Sequence, residues 1–111
     1  MQYFHIRFLE QANEFIAGLE PKAVKKLIYN IDLAEQTNDP RLFKELRDEI
    51  WELRVRFGNS QIRLLAFWDK TDSKNTLVIA THGFTKKVDK LPENEIERAK
   101  NIRKKYFESK K

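Results

Sequence analysis

The stretch Ile50-Trp-Glu-Leu-Arg-Val-Arg-Phe57, followed by Gly58-Asn59 and then Ser60-Gln-Ile-Arg-Leu-Leu-Ala-Phe-Trp68, decides the fold. In its first half Trp51, Leu53, Val55 and Phe57 alternate with Glu52, Arg54 and Arg56, the period of two that marks a strand. Gly58-Asn59 is a two-residue hairpin signal, because both residue types tolerate positive φ. A turn of that length fixes the register. It sets Phe57 against Ser60, Val55 against Ile62, Leu53 against Leu64 and Trp51 against Ala66, all on one face. The same register places Arg54 opposite Arg63, and Arg56 opposite Gln61, on the other face. Like charges directly across a ladder cost about 0.2–1 kcal/mol, and such local conflicts are expected at functional sites. An anion between the two guanidiniums reverses the sign. Guanidinium suits phosphate because its fork donates two parallel hydrogen bonds and keeps its proton. The alternative is that Glu52, on the same strand face as Arg54, neutralises the cluster and leaves a merely solvated surface.

Outward from this hairpin, Tyr3–Phe8 is β-prone and reads as a short first strand. Phe8, Ala12, Phe15, Ile16 and Leu19 recur at helical spacing. Gly18 weakens that helix, and Pro21 restarts one at its first position. There Val24, Leu27, Ile28, Ile31 and Ala34 share a face, and Asn38-Asp39-Pro40 ends it. The two helices form an αα-hairpin whose apolar stripes can cover the sheet. Beyond Trp68, Asp69–Asn75 is a polar turn. Thr76–Phe84 is a nearly continuous apolar strand suited to the centre of a sheet. Leu91-Pro92 opens a last helix with Ile96, Ala99, Ile102 and Tyr106 near one face. The expected fold is α+β, β-α-α-β-β-β-α, an antiparallel sheet covered by a helical hairpin plus a C-terminal helix. Its 111 residues make one domain, 1–111.

Composition narrows the chemistry. With no cysteine there is no disulfide scaffold, thiolate zinc site or cysteine nucleophile. His5 and His82 are the only histidines, and no His or carboxylate group has metal-ligand spacing. Three glycines supply no phosphate-cradling loop. Neither a metal nor a cofactor is expected. The longest uncharged stretch, Asn75–Thr85, falls short of the ~18 apolar residues of a membrane span. The N-terminus lacks the basic start and apolar run of a signal peptide, so a cytoplasmic protein without membrane contact is expected. Charge is uneven. Residues 1–84 carry 12 Lys/Arg and 12 Asp/Glu, and residues 85–111 carry 10 and 5, which is the whole net charge of +5. Such a segment draws polyanions, although acidic residues leading basic ones along a helix also complement its dipole.

Thr81-His-Gly-Phe-Thr-Lys-Lys87 gathers an imidazole, an aromatic ring and two ammonium groups at a strand end. Cleavage of a phosphodiester by an RNA 2′-hydroxyl needs a proton acceptor, a proton donor and cations for the phosphorane. His82 is the candidate acid/base, since imidazole titrates near neutrality. Lys86 or Lys87 is the candidate donor, and Phe84 the candidate stacking surface for a base. Each has a plainer reading: His82 and Phe84 as core, the lysines as a solvated turn.

Lys44–Arg54, then Arg56, Gln61-Ile-Arg63 and His82-Gly-Phe84-Thr-Lys86-Lys87, followed by a helix running from acidic to basic, together resemble HigB-like toxins. These form the phage-derived branch of the RelE/ParE superfamily of type II toxin–antitoxin systems. The resemblance covers nearly the whole chain. It implies a compact domain whose antiparallel sheet is clasped by helices, and a ribosome-dependent mRNA endonuclease. It also implies a cognate antitoxin of helix-turn-helix type, with operator DNA reached only through that antitoxin. By position, Arg54, Arg63 and Lys86 match the residues that hold and stabilise the scissile phosphate, and Arg56 and Lys87 match more loosely. Two features depart from the pattern. Tyr106, where RelE-type enzymes place a catalytic tyrosine, falls on a helix, and only Asp89 lies near His82 in sequence. ParE-like relatives with the same architecture inhibit DNA gyrase without cutting RNA, and an inactive relative would bind only its antitoxin.

Overall fold

The computed structural model describes residues 2–71, 76–87 and 89–110. Eight elements follow one another: β1 (His5–Phe8), α1 (Glu10–Ala17), α2 (Pro21–Thr37), β2 (Phe43–Arg47), β3 (Ile50–Phe57), β4 (Ser60–Asp69), β5 (Leu77–Lys86) and α3 (Glu93–Ser109). The strands form one sheet in the order β1-β5-β4-β3-β2.

The β3–β4 hairpin has the register read from its turn, from Phe57↔Ser60 to Trp51↔Ala66, with Arg54↔Arg63 and Arg56↔Gln61 between. Only Gly58 takes positive φ there, at 59°, the pattern of a type II′ turn. Two features correct the expected topology. β1 runs parallel to β5, so the sheet is mixed rather than wholly antiparallel. A further strand, β2, pairs with β3 at the edge. Its turn, Asp48-Glu49, takes positive φ at both residues, 52° and 67°, in place of the Asn-Gly that would have announced it. Arg47 and Lys100 bind Asp48, and Arg103 binds Glu49, holding this costly geometry.

Helices cover both faces. On one, Leu27, Ile31 and Ala34 of α2 and Ala12 of α1 pack on Leu53, Val55, Leu64 and Val78, each large side chain contributing about 1.5–3 kcal/mol. The inner stripe of α2 is Ala23, Leu27, Asn30, Ile31 and Ala34. Ile28, expected there, is 53% exposed because it lies a full 100° around the helix from Leu27. Pro21 starts α2, and Asn38 ends it in the left-handed region at φ 53°. On the other face Ile96 and Ala99 of α3 pack on Ile50, Leu65, Phe67 and Ile79.

β5 lies between β1 and β4, central as its apolar run suggested. Leu65 pairs with His82 but Ala66 pairs with Ala80, so Thr81 is an extra residue. This bulge lets Ile79 and His82, three residues apart, share the α3 face. The Thr81 hydroxyl reaches the Leu65 carbonyl at 3.2 Å. At the far end of α3, buried Asp69 accepts hydrogen bonds from Tyr106 (2.6 Å), Lys110 (2.7 Å) and the amide and hydroxyl of Thr71. Burial opposes its ionisation, yet Lys110, Thr71 and Tyr106 hold its carboxyl far below the usual range. Of the polar turn expected over Asp69–Asn75, residues 72–75 lie outside the described ones. No helix among the described residues is long and apolar enough to cross a membrane.

Candidate nucleic-acid interface

Register arranges the candidate residues in rows across β3, β4 and β5 on the face that α3 packs against. The rows are Glu52–Leu65–His82, then Arg54–Arg63–Phe84, then Arg56–Gln61–Lys86. Strands about 4.8 Å apart make each row roughly 10 Å wide. α3 roofs the Leu65 end, Phe84 of the next row packs against that cluster, and Arg56 and Gln61 of the third row are exposed. Lys87 lies one residue past the end of β5 and is exposed. The Thr81 bulge brings Phe84 and Lys86 to this face.

The two facing arginines differ. Arg63 is 4% exposed. Its Nη1 donates to the Ile62 carbonyl at 3.1 Å and its Nη2 to Gln61 Oε1 at 2.8 Å. Burial lowers its pKa, opposed by Glu52 and reinforced by Arg54. Arg54 has a side chain 35% exposed, and among the described residues its guanidinium donates no hydrogen bond. Glu52, 1% exposed, sits between them, 3.5 Å from the Nε of each. The expected pair of phosphate-receiving guanidiniums is therefore one presented fork, Arg54, backed by a second that is held in the sheet. Arg54, Arg56, Gln61 and Arg63 line a cavity of about 330 Å³ that continues to Asn30 and Arg41.

His82 is 1% exposed. Its Nε2 lies 2.9 Å from Glu95 Oε1 on α3, and its Nδ1 lies 3.0 Å from Thr81 Oγ1. Burial pushes its pKa below the usual value, Glu95 draws it up, and Arg98 presses it down. With both ring nitrogens engaged inside the protein, His82 has the surroundings of a packed core histidine. Its acid/base role would require access that this arrangement does not provide. Glu95, thirteen residues away, was not among the sequence candidates, which offered only Asp89 as a nearby acid. Phe84 is half-buried, its ring centroid 6.3 Å from that of His82. With Lys86, Lys87, Lys90 and Glu95 it lines a second cavity of about 550 Å³. Tyr106 is occupied by Asp69, far along α3 from these rows.

The family model described as "Phage derived protein Gp49-like (DUF891)" matches residues 14–104. No curated protein matches the chain. Among solved structures, a chain of the RelBE2 toxin–antitoxin complex of Mycobacterium tuberculosis superposes with a TM-score of 0.56 at 20% identity, covering 78% of this chain and 100% of that one. A variant of the E. coli toxin RelE in its free state gives 0.55 at 17%, covering 75% and 82%. The archaeal RelE–RelB complex of Pyrococcus horikoshii OT3 gives 0.50 at 14%, covering 75% and 94%.

Proposed function

Because this chain belongs to the phage-derived Gp49-like family and has the fold of the RelE toxins, we propose that it is the toxin of a type II toxin–antitoxin pair. It cleaves mRNA at the ribosome, in the cytoplasm, by attack of a 2′-hydroxyl on the adjacent phosphodiester. One observation carries this reading: the part-exposed guanidinium of Arg54, in a row with Arg63 and Phe84 and next to the exposed Arg56 and Gln61. The fork donates to the non-bridging oxygens and stabilises the charge that builds on phosphorus. Arg56 and Lys87 hold the neighbouring phosphates and Phe84 stacks on a base. As the 2′ oxygen bonds to phosphorus its proton passes to water, and as the bond from phosphorus to the 5′ oxygen breaks Lys86 delivers a proton to that leaving oxygen. Arg63 fixes the strand geometry beneath. The residues require neither metal nor cofactor. The partner is an antitoxin that sets acidic side chains against this cationic face, as charge complementarity asks. It has a helix-turn-helix fold and carries the pair to operator DNA.

Inducible expression with primer-extension mapping of mRNA ends tests the reading. The expected result is new 5′ ends and growth arrest with the wild type, and neither with Arg54→Ala at equal folded abundance. Intact mRNA in arrested cells, with inhibited supercoiling by purified gyrase, would replace it with the non-nuclease reading. No arrest would leave an inactive antitoxin-binding relative.

A further inference from the structure

Glu52 lies in the row next to Arg54 and Arg63, and it is the one acid among the nine residues of the three rows. It is fully buried on the sheet, beside Leu65. A buried carboxylate is costly unless it is paired and hydrogen-bonded, yet among the described residues Glu52 Oε2 and the nearby Arg63 Nε have no hydrogen-bond partner. They meet at 3.5 Å, as charges rather than as a bond. Packing alone does not call for this arrangement, since a neutral side chain of the same length would fill the position. Arg63 cannot rotate to improve the contact, because Ile62 and Gln61 hold its two Nη groups. Arg54 can, because Glu52 Oε1 is its one charged partner among the described residues.

We propose that Glu52 is a positioning residue for this interface: its buried carboxylate balances Arg63 and tethers the Nε side of Arg54, turning the Nη fork of Arg54 outward to a phosphodiester. The inference rests on reading this face as the phosphate-binding one. Without the tether, Arg54 is both repelled by Arg63 across the ladder and free to rotate. The site then attracts polyanions more strongly but holds them less productively. A shift of about 1 Å in a positioned group is enough to cost about a hundredfold in rate.

Glu52→Gln keeps the shape and removes the charge. Binding of a fluorescent single-stranded RNA oligonucleotide is measured across salt, cleavage is measured at saturating mRNA on ribosomes, and the arginine Nε–Hε signals are followed by NMR. The expected result is about fivefold tighter binding at low salt with a steeper salt dependence. Cleavage at saturation falls at least tenfold, so KM and kcat drop together. The Arg54 Nε–Hε signal takes the averaged shift of a freely rotating side chain, while that of Arg63, held through both Nη groups, does not. Tighter binding with an unchanged rate would reduce Glu52 to bulk charge, and an unchanged Arg54 signal would remove the tether; either overturns the proposal. Glu52→Asp keeps the charge but shortens the reach, so it should bind as wild type and cut more slowly. If Glu52→Gln fails to fold, a wild-type rate and Arg54 signal in Glu52→Asp overturn it instead. If the wild type cuts no RNA, the toxin reading falls, and the Arg54 signal still decides the role of Glu52.

Discussion

Arg63 and Arg54 carry the same charge at neighbouring positions, but burial separates what each does. Removing Arg63 leaves the Glu52 carboxylate buried with only a part-exposed partner, a change that typically costs about 3 kcal/mol. Removing Arg54 exposes little and costs below about 1 kcal/mol. Urea unfolding should therefore show Arg63→Ala strongly destabilised and Arg54→Ala close to wild type, the reverse of what two equivalent surface arginines would give. His82 supplies a pH signature. Burial keeps its imidazole neutral in the folded protein below the pH at which the unfolded chain's histidine takes a proton, although Glu95 draws against this. Its contribution is whole above about pH 6.5 and is lost as pH falls below that value. Unfolding free energies at pH 7.5 and 5.5 should differ in the wild type, and the gap should shrink in His82→Gln. An unchanged gap would place the titrating group elsewhere.

Among the elements, α1 packs closely on β5 at Gly83, where an added Cβ would overlap the Phe15 ring. Gly83→Ala should lower stability by about 1–3 kcal/mol, and Phe15→Ala in the same chain should recover part of the loss in a thermal double-mutant cycle. The glycine in His82-Gly83-Phe84 thus has a packing reason, which a strand pattern alone does not disclose. What was legible in the chain was local. A two-residue turn and alternating side chains sufficed for the β3–β4 ladder, including Arg54 against Arg63, and helical spacing sufficed for α1, α2 and α3. What was not legible depends on distant partners. β2 is short and charged, as edge strands are, and its Asp48-Glu49 turn is held by Arg47, Lys100 and Arg103 rather than by turn-forming residue types. The parallel pairing of β1 with β5 joins segments some seventy residues apart. Neither the burial of Arg63 nor the meeting of His82 with Glu95 leaves a trace in spacing, because the first follows from its neighbours Gln61, Ile62, Glu52 and Arg54 on β3 and β4 and the second from how α3 closes on the sheet.

For the whole molecule, the basic C-terminal segment proves less available than its composition suggests. Lys100 pairs with Asp48 and Glu97, Arg103 with Glu49, and Lys110 with Asp69. These cations fasten α3 to the sheet and its turns. On the proposed reading, Arg54, Arg56, Lys86 and Lys87 on the strand face meet about four phosphates. For single-stranded RNA that corresponds to a log–log salt slope of about −3. Titrations between 50 and 300 mM salt should give this value, and Lys86→Ala should reduce it by about 0.7; a slope near zero would exclude the face as a phosphate track. The bulge at Thr81 has a broader outcome. One inserted residue uncouples the facing of the two halves of β5, so the half that builds the interior and the half that meets the outside world are separately editable. Changes after the insertion can revise what is recognised without recoding what holds the protein together, whereas deleting that single residue would turn one half inside out.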